Sequence, residues 1–130
     1  MASFVTRLIS ERPDVMAPDG SEVRILAATA RGSMAHFRLS RGGVSKAVAH
    51  RSVEEVWYFL GGRGEMWRRN ESGEETVAVH PGVSIAIPVG TAFQFRALGD
   101  SALEAVAVTM PPWPGPDEAH AVEGKWEARL

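Results

Sequence analysis

Gly42-Gly43-Val44-Ser45-Lys46-Ala47-Val48-Ala49-His50-Arg51-Ser52-Val53-Glu54-Glu55-Val56-Trp57-Tyr58-Phe59-Leu60-Gly61-Gly62 is the stretch on which the fold of this 130-residue chain turns, together with the shorter Gly82-Val83-Ser84-Ile85-Ala86-Ile87-Pro88-Val89-Gly90-Thr91-Ala92-Phe93. Each block opens on glycine, carries short apolar runs of strand length and meets a further glycine near its end. Glycine accepts positive φ without strain, so these positions read as tight turns between strands.

The same rhythm spreads outward over residues 22 to 110. Candidate strands run over 22–29, 33–39, 46–50, 55–60, 64–69, 76–79, 83–87, 92–97 and 103–110. Turn signals separate them at Asp19-Gly20, Arg41-Gly42-Gly43, Gly61-Gly62, Ser72-Gly73, Pro81-Gly82, Val89-Gly90 and Gly99-Asp100. Short apolar runs at this spacing, with no competing helical period, indicate an all-β sandwich or barrel. Gly61-Gly62-Arg63-Gly64 joins two strands and opens no helix, so it reads as a hairpin turn and not as a phosphate loop.

The two blocks resemble the signature motifs of the cupin superfamily, G(x)5HxH(x)3-4E(x)6G and G(x)5PxG(x)2H(x)3N. Gly42, His50, Glu55 and Gly62 stand at family positions of the first motif, and Gly82, Pro88 and Gly90 at those of the second. Val48, Phe93 and Ala97 replace the first histidine, the third histidine and the asparagine. The resemblance covers about residues 21–110 and implies a double-stranded β-helix, or jelly-roll barrel, commonly dimeric. Cupins include dioxygenases, isomerases, epimerases, lyases, decarboxylases, sugar-binding regulators and storage proteins, so the fold alone does not choose an activity. The family's usual metal site offers three imidazoles and a carboxylate to iron, manganese, nickel or zinc. Val48 and Phe93 have no donor atom, so neither a metal nor another cofactor is expected. A non-standard site completed by His36 beside His50 and Glu55 is the alternative.

Composition narrows the classes further. One domain spanning 1–130 is expected, with 45% hydrophobic residues to fill its core. A net charge of -2 with no basic stripe argues against nucleic acid. Without cysteine there is no disulfide, thiolate ligand or thiol nucleophile. No basic segment followed by an apolar run opens the chain, and no run approaches the roughly 20 residues of a membrane span. A soluble, cytoplasmic protein with no membrane partner is expected. Residues 1–20 hold Phe4, Val5, Leu8 and Ile9, enough for an added edge strand. Residues 111–130 begin Pro111-Pro112-Trp113-Pro114-Gly115-Pro116 and cannot continue a sheet, but Trp113 and Trp126 predict a tail folded back on the barrel.

Alternation along the strands selects the candidate site. Glu55, Trp57 and Phe59 share one face, and Val56, Tyr58 and Leu60 share the other, which is apolar enough to demand a cover such as the amino-terminal segment or a second subunit. A homodimer is the expected assembly. His50 and Glu55 fall on the same inner face as candidate general base and acid. A buried Glu55 must be protonated, paired with His50 or Arg38, or bound to a cation. Trp57, Phe59, Phe93 and Phe95 share the inward parity, and His36 and Arg38 sit on a semi-polar face able to line a cavity mouth. These residues predict either an aromatic-walled pocket for a small organic molecule or a filled core. A metal-independent isomerase, cyclase or lyase, a metal-dependent oxygenase or isomerase, and a non-catalytic sensory or structural module remain as readings.

Overall fold

The computed structural model describes residues 3–130. Eleven strands follow in chain order: β1 Val15–Met16, β2 Glu22–Ala28, β3 Ser33–Leu39, β4 Val48–His50, β5 Glu54–Gly61, β6 Arg63–Asn70, β7 Gly73–Val79, β8 Ser84–Ile87, β9 Ala92–Leu98, β10 Leu103–Met110 and β11 Ala119–Ala121. They form two antiparallel sheets, one ordered β1-β2-β3-β10-β5-β8 and the other β11-β4-β9-β6-β7. This is the jelly-roll barrel that the motif resemblance implies. No described helix is long and apolar enough to cross a membrane.

From β4 onward the chain changes sheet at nearly every connection. Residues 51–53 carry it from β4 to β5, Gly62 from β5 to β6, and the Pro88-Val89-Gly90 turn from β8 to β9. Gly61-Gly62-Arg63-Gly64 is therefore not a hairpin turn, because the strands it joins lie in different sheets. Gly62 takes φ 73° there, and a methyl group on it would run into the Ala102 carbonyl oxygen.

The strand faces follow the alternation. On β5 the residues Glu55, Trp57 and Phe59 are buried, while Val56, Tyr58 and Leu60 are each about half exposed. On β10 the inward set is Leu103, Ala105, Ala107 and Thr109. Strand β9 breaks the period, since Ala92, Phe93, Gln94 and Phe95 are all buried. The carboxyl-terminal segment is the cause. Gln94 Nε2 donates to the Ser45 and Trp126 carbonyls, and its Oε1 accepts from the Lys125 and Trp126 amides. The Arg96 guanidinium lies 4.4 Å from the Trp126 ring centroid. Replacing Gln94 with Leu strands these backbone groups and is expected to lower stability by about 2–3 kcal/mol. Urea unfolding reads it as a lower midpoint at unchanged slope; an unmoved midpoint would show that the tail is anchored elsewhere.

Two terminal expectations are corrected. The amino-terminal edge strand is Val15–Met16, paired with Val23 and Glu22, whereas Phe4, Val5, Leu8 and Ile9 lie exposed outside any strand. Past its prolines the tail does join a sheet: Ala119, His120 and Ala121 pair with His50, Ala49 and Val48. The free edge of β4 offers unpaired backbone groups, and the chain regains its amide donors after Pro116.

Candidate functional site

The barrel interior is divided. Trp57 fills the middle, stacked on Phe37 at 4.9 Å and 8° and meeting Phe95 edge-on at 5.2 Å. On one side Phe59, Met66, Val79, Ile85, Phe95 and Leu103 close into a filled core. On the other lies a cavity of about 520 Å³. Of the aromatic residues assigned to a pocket from sequence, Trp57 and Phe93 line it, while Phe59 and Phe95 do not and belong to the filled half.

His50 and Glu55 both line the cavity. Strand β4 ends at His50, the turn 51–53 crosses between the sheets, and Glu55 enters on β5 with inward parity. Glu118 holds that turn: its carboxylate accepts from the Ser52 amide at 2.7 Å, from the Ser52 hydroxyl and from the Val53 amide, and its carbonyl accepts from the Arg51 amide. The carboxyl-terminal segment thus fixes the spacing of the pair. Trp113 adds an edge-on contact to His50, with ring centroids 5.3 Å apart.

Glu55 Oε1 accepts from Trp57 Nε1 at 3.0 Å, and Oε2 accepts from Thr109 Oγ1 at 2.5 Å. Burial pushes its carboxyl above the usual range despite these two bonds, which favour the charged form. Burial lowers His50 in the same way. Nδ1 of His50 is 3.9 Å from Glu55 Oε1, too far for a hydrogen bond, and is fully enclosed without a partner among the described residues. Burial thus drives both groups toward their uncharged forms, the carboxylic acid for Glu55 and the neutral imidazole for His50.

Burial of Glu55 also sets the sign of a pH dependence. Between the unfolded value of Glu55, 4.5, and its raised folded value, the native state binds more protons than the unfolded chain, so stability falls as pH rises. Glu55→Gln lacks this titration. The parent is expected to lose stability relative to the variant as pH rises from 4.5, in urea melts at matched ionic strength. A constant difference across the range would show that the Glu55 carboxyl is not raised on folding.

His36 and Arg38 are corrected. They lie on the outer face of the larger sheet, where His36 is paired across to Val106 and Arg24, and Arg38 to Glu104 and Glu22. His36 Nε2 meets Glu104 Oε1 at 3.2 Å, and Arg38 binds Glu22 at 3.0 Å. Arg38 is thus no partner for Glu55. Alternation separates His36 from Phe37 correctly, but the sheet stands between that face and the cavity.

The residues missed from sequence come from distant segments. Asp19 is buried in the cavity wall, held through its carbonyl by the Lys46 amide and through Oδ1 by the Ser21 amide and hydroxyl. Burial raises its carboxyl as well. Trp113, Pro116 and Ala119 line the wall from the other end of the chain. Thr109 alone was signalled locally, as the polar end of an inward alternation on β10. A second depression, of about 420 Å³ over the β6–β7 hairpin, is open, and its Arg68 is taken up by Glu75 at 2.7 Å.

No three His, Asp or Glu side chains converge among the described residues. With Val48 and Phe93 at two positions where the family resemblance implies ligands, and His36 behind the sheet, the donor set does not fit a metal ion.

A two-sheet jelly roll defines the class, and the comparisons agree on that fold. The cupin domain family matches residues 35–109, more than half of the chain, and the chain belongs to it. No curated protein matches it in sequence. Among solved structures, BH2720 from Bacillus halodurans is 20% identical over 77% of this chain and 74% of its own, at a TM-score of 0.65. KdgF from Halomonas sp. is 18% identical over 83% and 89%, at 0.65. The capsular polysaccharide assembling protein CapF from Staphylococcus aureus is 16% identical over 92% of this chain but 33% of its own, at 0.69. Likeness at these identities shows the fold alone.

Proposed function

We propose that the protein is a small-molecule-binding cupin of the cytoplasm whose ligand site is the barrel cavity, acting as a metal-independent isomerase, cyclase or lyase. One observation carries the reading: an acid and a base, Glu55 and His50, face the same largely apolar cavity, and burial favours the form in which each can act. A neutral imidazole accepts a proton and a carboxylic acid gives one, so His50 removes a proton from the ligand while Glu55 protonates a second atom. Such transfers contribute about 10²–10⁴-fold each. Proton exchange provides the test without knowledge of the natural substrate. Small ketones incubated in D2O are expected to gain deuterium beside the carbonyl faster with the protein than without it. His50→Gln and Glu55→Gln should each slow this about 10²-fold or more. Exchange equal to background, or untouched by either substitution, would remove the acid–base reading.

We also propose a homodimer, supported by the half-exposed Val56, Tyr58 and Leu60 on the outer sheet face and by the uncovered Phe4 and Leu8. An isologous contact would cover both, with the amino-terminal segment of each subunit crossing the sheet of the other. Removal of residues 1–12 is expected to give monomers or aggregates on sizing. A soluble dimer with unchanged melting temperature would show that this segment does not dimerise the chain.

A further inference from the structure

The cavity wall has few polar groups, and most of them are already used. Ser33 Oγ accepts the Trp113 amide, Thr109 Oγ1 binds Glu55, and both Glu55 oxygens are taken. Apart from Glu55, whose acid proton the acid–base reading already uses, and the partly exposed Trp113 indole, two groups are left. Asp19 Oδ1 accepts twice from Ser21, at 2.8 and 2.6 Å, while Oδ2 has no partner among the described residues. The His50 ring makes no hydrogen bond among them either, although the residue is only 5% exposed. Among the described residues no lysine or arginine lines the cavity. The rest of its wall is apolar: Val15, Val23, Ile25, Val48, Trp57 and Phe93 supply much of it.

We propose that the cavity takes an uncharged molecule with an apolar body and a carbonyl oxygen, anchored by Asp19 from the segment ahead of the family-matched region. The inference rests on the cavity being the ligand site and adds the ligand's class and its anchor. An anion would be buried against two carboxyl groups with no cation to meet it. A cation would require carboxylates, whereas burial favours the protonated acid at both Asp19 and Glu55. With Oδ1 committed as an acceptor of two bonds, the protonated acid that burial favours carries its proton on Oδ2. It is then a donor without an acceptor, which a ligand carbonyl provides.

Three probes of similar size separate the charge classes at pH 7: acetophenone, benzoate and benzylamine. Binding is followed by the indole N–H signals of Trp57 and Trp113 in 1H–15N spectra, since both side chains line the cavity. Acetophenone is expected to move both signals saturably, and the two ions to bind at least about tenfold more weakly, a difference of about 1.4 kcal/mol. Asp19→Asn keeps an acceptor for Ser21 and a donor for the carbonyl, and should bind acetophenone within about threefold of the parent. Asp19→Ala should lose about tenfold or more. Tighter binding of benzoate or benzylamine would overturn the ligand class while leaving the cavity as the site. Equal binding by the Asn and Ala variants would overturn the role of Asp19. If none of the probes moves either indole signal, the ligand class and the cavity reading both fall.

Discussion

Gly62→Ala is expected to prevent the protein from accumulating in folded form. Two costs combine at this position. Its φ of 73° lies where a Cβ meets the following carbonyl, worth roughly 1–2 kcal/mol. The added methyl would also collide with the Ala102 carbonyl oxygen and crowd the Leu103 Cα, which are backbone atoms and cannot rotate away. Relieving that contact moves the crossing between the sheets, for a total of about 4 kcal/mol or more. A domain of this size has about 5–15 kcal/mol in all. Gly42 is the control, with φ 74° and no atom within 4 Å of where a methyl group would sit. Gly42→Ala should cost only about 1 kcal/mol. Soluble yield and thermal midpoint of the two variants, measured side by side, test the claim. Equal midpoints would mean that the backbone at Gly62 relaxes freely.

Trp57→Ala is expected to cost about 3–5 kcal/mol and to destroy the site as well as the core. The ring is 2% exposed and stands between the filled half of the barrel and the cavity, in contact with Phe37, Phe59, Phe93 and Phe95. Its indole N–H is also one of the two donors to Glu55. Trp57→Phe restores much of the volume but not the donor. It should therefore recover most of the stability while raising the Glu55 carboxyl further, because a bond favouring the charged form is lost. A Phe variant whose pH–stability profile coincides with the parent's would show that the Trp57–Glu55 bond is energetically idle.

Most strands of the barrel were legible in the sequence to within a residue at their ends, β3 and β10 in full, whereas β4 starts two residues later than expected and β7 three residues earlier. Alternation is a local property: once Glu55 is placed inward, Trp57 and Phe59 follow and Val56, Tyr58 and Leu60 face out. The same rule brought His50 and Glu55 to one interior. Strand β1 was missed because two residues show no period, and β11 because the prolines before it mask an edge partner supplied by β4.

The sequence by itself therefore determined the strands and the inward-facing pair, which depend on neighbours within a few positions along the chain, and its resemblance to the cupin motifs implied the jelly-roll fold. Only the tertiary structure decided which stretches of the interior are filled, that His36 and Arg38 face away from the cavity, and that Asp19 and Trp113 close its wall. Asp19 and Glu55 are far apart along the chain. Their shared environment comes from the sheet topology and from terminal segments docked by Lys46, Ser52 and Gln94. Burial of that kind depends on what lies opposite a residue in space, and no periodicity around Asp19-Gly20 records it.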